Sequence, residues 1–197
     1  MTILISTIYK GSAVIQAIKL FNPNKVYFIV DDPLDDIRKN SIKMMKDIFP
    51  LLNFEMISTK IYDIVNIANK TIEVIKKESN EKIIIHISEG RKTMSLGLLF
   101  GAYVMRKNVD SAYYIIEETN VPIQLPLIEL SVSPKKKEIL KSINEGKSSV
   151  QELEKELKMN SATIYVHLKD LRDKGILSKE NRLTEMGRIV LLNQGDE

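Results

Sequence analysis

The chain has 197 residues, 44% of them hydrophobic, enough to bury a core in one large domain or two unequal ones. It contains no cysteine, which excludes disulfides, thiolate metal sites and cysteine nucleophiles. A net charge of +3 and a pI near 8.9 permit nucleic-acid binding without the strongly basic footprint that would announce it.

From Thr2 to about Ser131, short β-rich runs alternate with longer segments of helical period. ILIST reads as a first strand, and the start MTILIST lacks the charged and apolar regions of a signal peptide, so a cytoplasmic location is expected. SAVIQAIKLF reads as a helix and KVYFIV as a second strand ending at Asp31-Asp32. In DDPLDDIRKNSIKMMKDIF, Pro33 fits the first helical position, Asp32 the cap, and Asp35 and Asp36 the favourable end of the dipole. Asp31 and Asp32 also sit where a dinucleotide-binding sheet would hold a ribose; without a glycine fingerprint, capping is the simpler role.

FEMIST is a third strand, YDIVNIANKTIEVIKKE an amphipathic helix, and IIIHIS a fourth strand with the continuous apolar run of a central position. SLGLLFGAYVMRK follows as a helix hydrophobic nearly all round, to be buried in the domain or against a second subunit. Its uncharged stretch, Thr93 to Met105, has the length of a buried helix and not of a bilayer span, so no membrane partner is expected. AYYIIEE is the fifth strand, where Tyr113 and Tyr114 serve packing or face a ligand. This alternation predicts an α/β fold with a Rossmann-like, doubly wound, mostly parallel sheet over residues 1–132.

After Ser133-Pro134 the strand pattern stops, and residues 133–197 read as a second domain. Three short helical segments are broken at Glu145-Gly146-Lys147 and at Lys158-Met159-Asn160; Gly175 stops the third, and ILSKENRLT reads as two short strands around a polar tip. That is the order of a winged helix-turn-helix, and SATIYVHLKDLRDKGIL resembles the recognition helix of ArsR-like and MarR-like regulators. With Ile164, Leu168 and Leu171 facing the core, Ala162, Tyr165, Val166 and Lys169 lie on another face, with Ser161 and Thr163 near the helix start. These side chains suit base edges and phosphates in a major groove, and Arg182 in the wing would reach the backbone. The bland alternatives are that Tyr165 covers the core rim, Lys169 pairs with a carboxylate, His167 is packed, and the domain is a protein interface. From Ser131 onward basic residues outnumber acidic ones by only two, so tight binding to double-stranded DNA calls for two copies on a dimer.

The turn HISEGRKTM, residues 86–94, joins the fourth strand to its helix. Such a turn offers backbone N–H groups and the positive end of a dipole; Gly90 allows close approach, Arg91 and Lys92 add charge, and Ser88 and Thr93 add hydroxyl donors. Phosphate is the natural guest, although neither a P-loop nor G-x-G-x-x-G is present. A small-residue, glycine, polar and Met turn at this place, followed by a winged helix, resembles the CRISPR-associated Rossmann-fold (CARF) regulators, most closely the archaeal CARF and winged-helix transcription factors. The resemblance implies a homodimer that binds a cyclic oligoadenylate second messenger, typically cyclic tetra-adenylate, across the dimer axis, and that controls CRISPR genes of antiviral defence. It places the ligand on Ser6, Thr7, Ile8 and Tyr9 and on Ser88, Glu89, Gly90, Arg91, Lys92, Thr93 and Met94.

No cofactor, metal ligand or catalytic residue is expected. Glu89 departs from the family's small residue; it accepts from ribose hydroxyls or an adenine amino group, is neutralised by Arg91 or Lys92, or faces solvent at its own helix start. If it opposed the phosphates, Glu89→Ala would tighten binding. Two alternatives stand: a metal-independent ring nuclease, assisted by Lys92, Ser6 or Thr7, and a regulator sensing another phosphorylated metabolite. No arginine precedes His167 at the R-x₄₋₆-H spacing of CARF-linked ribonucleases.

Overall fold

The computed structural model describes residues 1–192, and these form two units, Met1–Glu129 and a second beginning at Leu130. The first is a six-stranded sheet in the order β3-β2-β1-β4-β5-β6. Strands β1 (Thr2–Thr7), β2 (Lys25–Asp31), β3 (Asn53–Thr59), β4 (Lys82–His86) and β5 (Ser111–Ile115) run parallel; β6 (Pro122–Leu125) is antiparallel to β5. The chain is thus a Rossmann-like α/β protein carrying a C-terminal helical domain. β6 has no counterpart in the sequence reading, because proline at a strand start and a four-residue length give little period to detect.

Helices α1 (Ser12–Phe21), α2 (Asp36–Ile48), α3 (Ile64–Lys77) and α4 (Lys92–Val104) connect the strands, and a 3-10 turn at Arg106–Asn108 leads into β5. The core on one face joins Leu4, Val26, Phe28 and Ile84 of the strands to Val14 and Ala17 of α1 and Ile42 and Met45 of α2. Tyr113 belongs to that face, its ring 4.7 Å from that of Phe21. On the other face α3 packs along α4, because Gly97 and Gly101 let the helices approach until an added Cβ would lie 2.6 Å from Ile67 and 2.7 Å from Thr71. The stripe Met94, Gly97, Leu98, Gly101 and Ala102 of α4 is buried within the domain, whereas Leu96 is exposed.

The expected cap of α2 is corrected. The helix starts at Asp36, three residues later than Pro33 implied, and Asp35 caps it by accepting from the Arg38 backbone N–H at 2.9 Å. Leu34 packs onto the core and draws the chain inward before the helix can begin, and the Asp32-Pro33 peptide is cis.

In the second unit α5 (Pro134–Asn144), α6 (Val150–Leu157) and α7 (Ser161–Asp173) surround a core of Ile139, Leu140, Leu153, Ile164, Leu168, Leu171 and Ile176. Ser149 and Glu152 close a capping box at the start of α6, and Asn160 caps α7 by accepting from Thr163 N–H at 2.8 Å. The wing is smaller than two strands: its ladder is the single antiparallel bridge Leu177↔Leu183, with Asn181 in the left-handed region at the tip. A further helix, α8 (Glu185–Leu191), returns Ile189 and Val190 to the interior.

Candidate functional site

The chain leaves β1 toward β2 but leaves β4 toward β5, so the carboxyl ends of the adjacent strands β1 and β4 open on a topological switch point. Ser6 pairs in register with His86 there, and two helix N-termini, of α1 and α4, converge on it. They are filled differently.

Helix α1 begins after Gly11, which is in the left-handed region at φ 87° and offers no side chain to cap it. The cap comes from 78 residues away: Glu89 Oε2 accepts from the backbone N–H of Tyr9 at 2.9 Å and of Gly11 at 2.6 Å, and Oε1 from Ala13 N–H at 2.7 Å. Glu89 is only 6% exposed. The solvent-facing reading of this residue is therefore corrected: it is buried, and the dipole it complements is that of α1, not of α4. An uncapped helix start in the sequence, Gly11-Ser12-Ala13 with no acidic residue in the first turn, was the available signal for a carboxylate arriving from elsewhere.

Helix α4 has Arg91 at its N-cap position and no side-chain cap. Gly90, Arg91 and Lys92 are all exposed. Gly90 adopts φ 88°, which favours glycine, and it sits close enough to Thr7 that a Cβ would approach that side chain at 3.1 Å. Among the described residues, no side chain caps this helix start at the mouth.

The hydroxyls expected as ligand donors are committed inside the protein. His86 is fully buried, and burial pushes its imidazole down to about 4, so it is neutral near pH 7. Ser6 donates to the Thr7 carbonyl at 2.7 Å, so its oxygen accepts from His86 Nδ1–H at 2.8 Å. His86 Nε2 is then the acceptor for Ser88 O–H at 2.7 Å, and Ser88 Oγ accepts from Ile115 N–H at 2.6 Å. Thr7 donates to the Glu89 carbonyl and Thr93 to the Ile61 carbonyl at 2.9 Å. Ser6, Thr7, Ile8 and Met94 are buried, and the Met94 sulfur accepts from Thr59. Their side chains are thus engaged within the protein, because a buried polar group at the end of a central strand is satisfied by its neighbours. Among the residues expected to hold the ligand, Tyr9, Gly90, Arg91 and Lys92 are exposed, and Ser88 and Thr93 are half-buried.

A charge network missed by the sequence reading lies beside them. Asp31, at the end of β2, is buried between Arg38 Nε at 3.3 Å and Arg91 Nε at 3.5 Å, so it pairs with two cations and does not cap α2. Arg38 is itself buried; it donates to the Ile8 carbonyl at 3.2 Å, pairs with Asp35 and lies over the Tyr9 ring at 5.2 Å. Its position three residues after Asp35 gave the local half of this network, but the pairing with β2 is tertiary.

In the C-terminal unit Ala162, Tyr165, Val166 and Lys169 are exposed along α7, Ser161 and Thr163 are half-buried at its start, and Arg182 is exposed on the wing. Arg172 donates to Asn181 Oδ1 at 2.7 Å, and Asn181 donates to the Ser148 carbonyl at 3.3 Å, which ties the wing tip to α7 and to the turn before α6. His167 is half-buried; burial, with Lys136 and Lys135 nearby, holds its imidazole below the ordinary range.

Residues 133–179 match the helix-turn-helix of the bacterial regulatory protein, arsR family. The C-terminal unit is thus an arsR-type helix-turn-helix, a class of DNA-binding domain; the match covers less than half of the chain. No curated protein sequence matches. Similar solved structures include protein VC1899 from Vibrio cholerae (TM-score 0.52, 13% identity, 98% of this chain and 64% of that chain). Two others are Can2 from Sulfobacillus thermosulfidooxidans in complex with cyclic tetra-adenylate (0.49, 11%, 98% and 64%) and a type III CRISPR defence DNA nuclease activated by cyclic oligoadenylate (0.49, 11%, 87% and 30%). At these identities the likeness speaks to the fold alone, and the chain spans less than two thirds of each of those proteins. No helix among the described residues is long and apolar enough to cross a membrane.

Proposed function

We propose that the chain is a ligand-responsive transcriptional regulator of the CARF and winged-helix kind, in which the N-terminal domain binds a cyclic oligoadenylate and paired C-terminal domains bind DNA. One observation carries the ligand half: at the switch point of the sheet, the N-terminus of α4 is uncapped by any side chain and flanked by exposed Arg91 and Lys92. Backbone amides, dipole and two cations converge there on the chemistry of a phosphodiester. Tyr9, half-exposed beside this turn, offers a ring face for a base. The DNA half rests on the arsR-type match and on the exposed stripe of α7.

Sensing is favoured over cleavage. Ser6 and Thr7, whose hydroxyls would align a ribose for attack on its phosphate, are buried and already bonded. Chromatography of cyclic tetra-adenylate after incubation with the protein is expected to return the ring intact; linear products would assign a ring nuclease instead.

The decisive measurement is calorimetric titration with cyclic tetra-adenylate, paired with mobility shifts. Arg91→Ala and Lys92→Ala should each weaken the nucleotide by about tenfold, which is about 1.4 kcal/mol, and leave unliganded DNA binding intact. The ligand should change DNA affinity by about 5- to 150-fold, and DNA should change ligand affinity by the same factor. Identical DNA affinity with and without the nucleotide removes the switch, and no heat of binding from the wild type removes the sensor.

A further inference from the structure

We infer that Glu89 determines which of the two helix N-termini at the sheet mouth a phosphate can use: its carboxylate occupies the start of α1 as a built-in anion. The inference deepens the proposed anion-binding reading and rests on it for the identity of the guest, while its own test needs only an inorganic anion.

The carboxylate makes the contacts a bound phosphate would make. Two oxygens accept from three amides, at 2.6, 2.7 and 2.9 Å, at the positive end of a ten-residue helix that has no other cap. The first turn after β1, where a Rossmann-like sheet ordinarily receives a mononucleotide phosphate, is thereby closed. A terminal phosphate entering it would have to displace a buried charge from three hydrogen bonds.

The same residue supplies the peptide that fixes the neighbouring turn. The Glu89 carbonyl accepts from Thr7 and from Ser95 at 3.5 Å, and Gly90, next in the chain, rests against Thr7. The backbone at position 89 thus holds the α4 turn, while the Glu89 side chain closes the start of α1. At the mouth formed by β1 and β4, an anionic ligand is left with the α4 turn, flanked by Arg91 and Lys92.

Anion rescue tests this. Glu89→Ala should melt at lower temperature than the wild type. Inorganic phosphate at roughly 10 mM should restore most of the loss through preferential binding to the folded state, and sodium chloride of matched ionic strength should not. The apparent phosphate affinity should exceed that of the wild type by at least about tenfold and persist in Glu89→Ala/Arg91→Ala, because the vacated amides belong to α1. Rescue no better than chloride, or rescue abolished by the Arg91 change, overturns the inference.

Glu89→Gln decides the matter independently, including where the alanine variant does not fold. Glutamine keeps the volume but sets an NH2 group against an amide N–H, so it should also lose stability; a glutamine variant as stable as the wild type overturns the assignment. If rescue succeeds while the wild type ignores cyclic tetra-adenylate, the function reading fails and this inference stands. The converse pair of results does the opposite.

Discussion

His86 shows how a single ring organises the ends of the two central strands. As a neutral imidazole it accepts from Ser88 and donates to Ser6, which ties β4 to β1 and, through Ser88, to the Ile115 amide of β5. Protonation would turn Nε2 into a second donor facing a hydroxyl that is already donating to it. With a folded value near 4 against about 6.5 when unfolded, the unfolded chain binds the extra proton first. Stability should therefore be fully present above about pH 6.5 and fall by up to roughly 3 kcal/mol as pH drops toward 4. Denaturant melts of the wild type and of His86→Asn across that window check this; the variant should show the flatter profile, and parallel profiles would reject the assignment. One partner of His86, Ser88, lies two residues on in its own turn, whereas the other, Ser6, lies on another strand and is reached only in the folded chain.

At the level of elements, the α3–α4 pair depends on two glycines that the sequence displays without explaining. A helix interior ordinarily gains about 1 kcal/mol when glycine becomes alanine. Here the added Cβ would fall within 3 Å of the Cβ atoms of Ile67 and Thr71, close to the backbone, where neither neighbour can swing away. Gly97→Ala and Gly101→Ala should each destabilise the fold by about 2 kcal/mol or more despite the propensity gain, as read from urea midpoints by circular dichroism. Wild-type midpoints in both variants would mean that the helices can separate without cost. The apolar run of α4 was legible as a buried helix, whereas its partner was not, because period reveals a buried face but not what covers it. The first and third helices make the same contrast. Asp63 caps α3 within its own segment, accepting from Asn66 N–H at 2.9 Å, while α1 takes its cap from Glu89 in another.

For the whole molecule, charge sets the scale of DNA binding. With two more basic than acidic residues from Ser131 onward, a single C-terminal unit gains little from phosphate neutralisation, and the proposed DNA binding is expected to use two copies. The salt dependence of binding counts them. Each lost phosphate contact lowers the slope of log K against log salt by about 0.9. Lys169→Ala or Arg182→Ala should thus reduce the slope by about 2 if a dimer engages two half-sites and by about 1 if a single domain binds. Footprints measured between low and moderate salt give the number directly.

The amino-acid order by itself determined the alternation of the first five strands with their helices, and the helix-turn-helix with its exposed stripe, because these depend on spacing within single segments. The same order marked the HISEGRKTM turn as polar, cationic and glycine-bearing, and Arg91 and Lys92 are open there. Only the tertiary structure decided which polar groups of that turn are free. Ser6, Thr7, Ser88, Thr93 and Glu89 find partners across strands or beyond the helix they precede, and a hydrogen bond between segments 80 residues apart leaves no periodic trace in the chain. Buried polar groups must be satisfied, and the nearest donor or acceptor in space, not in sequence, is the one that satisfies them.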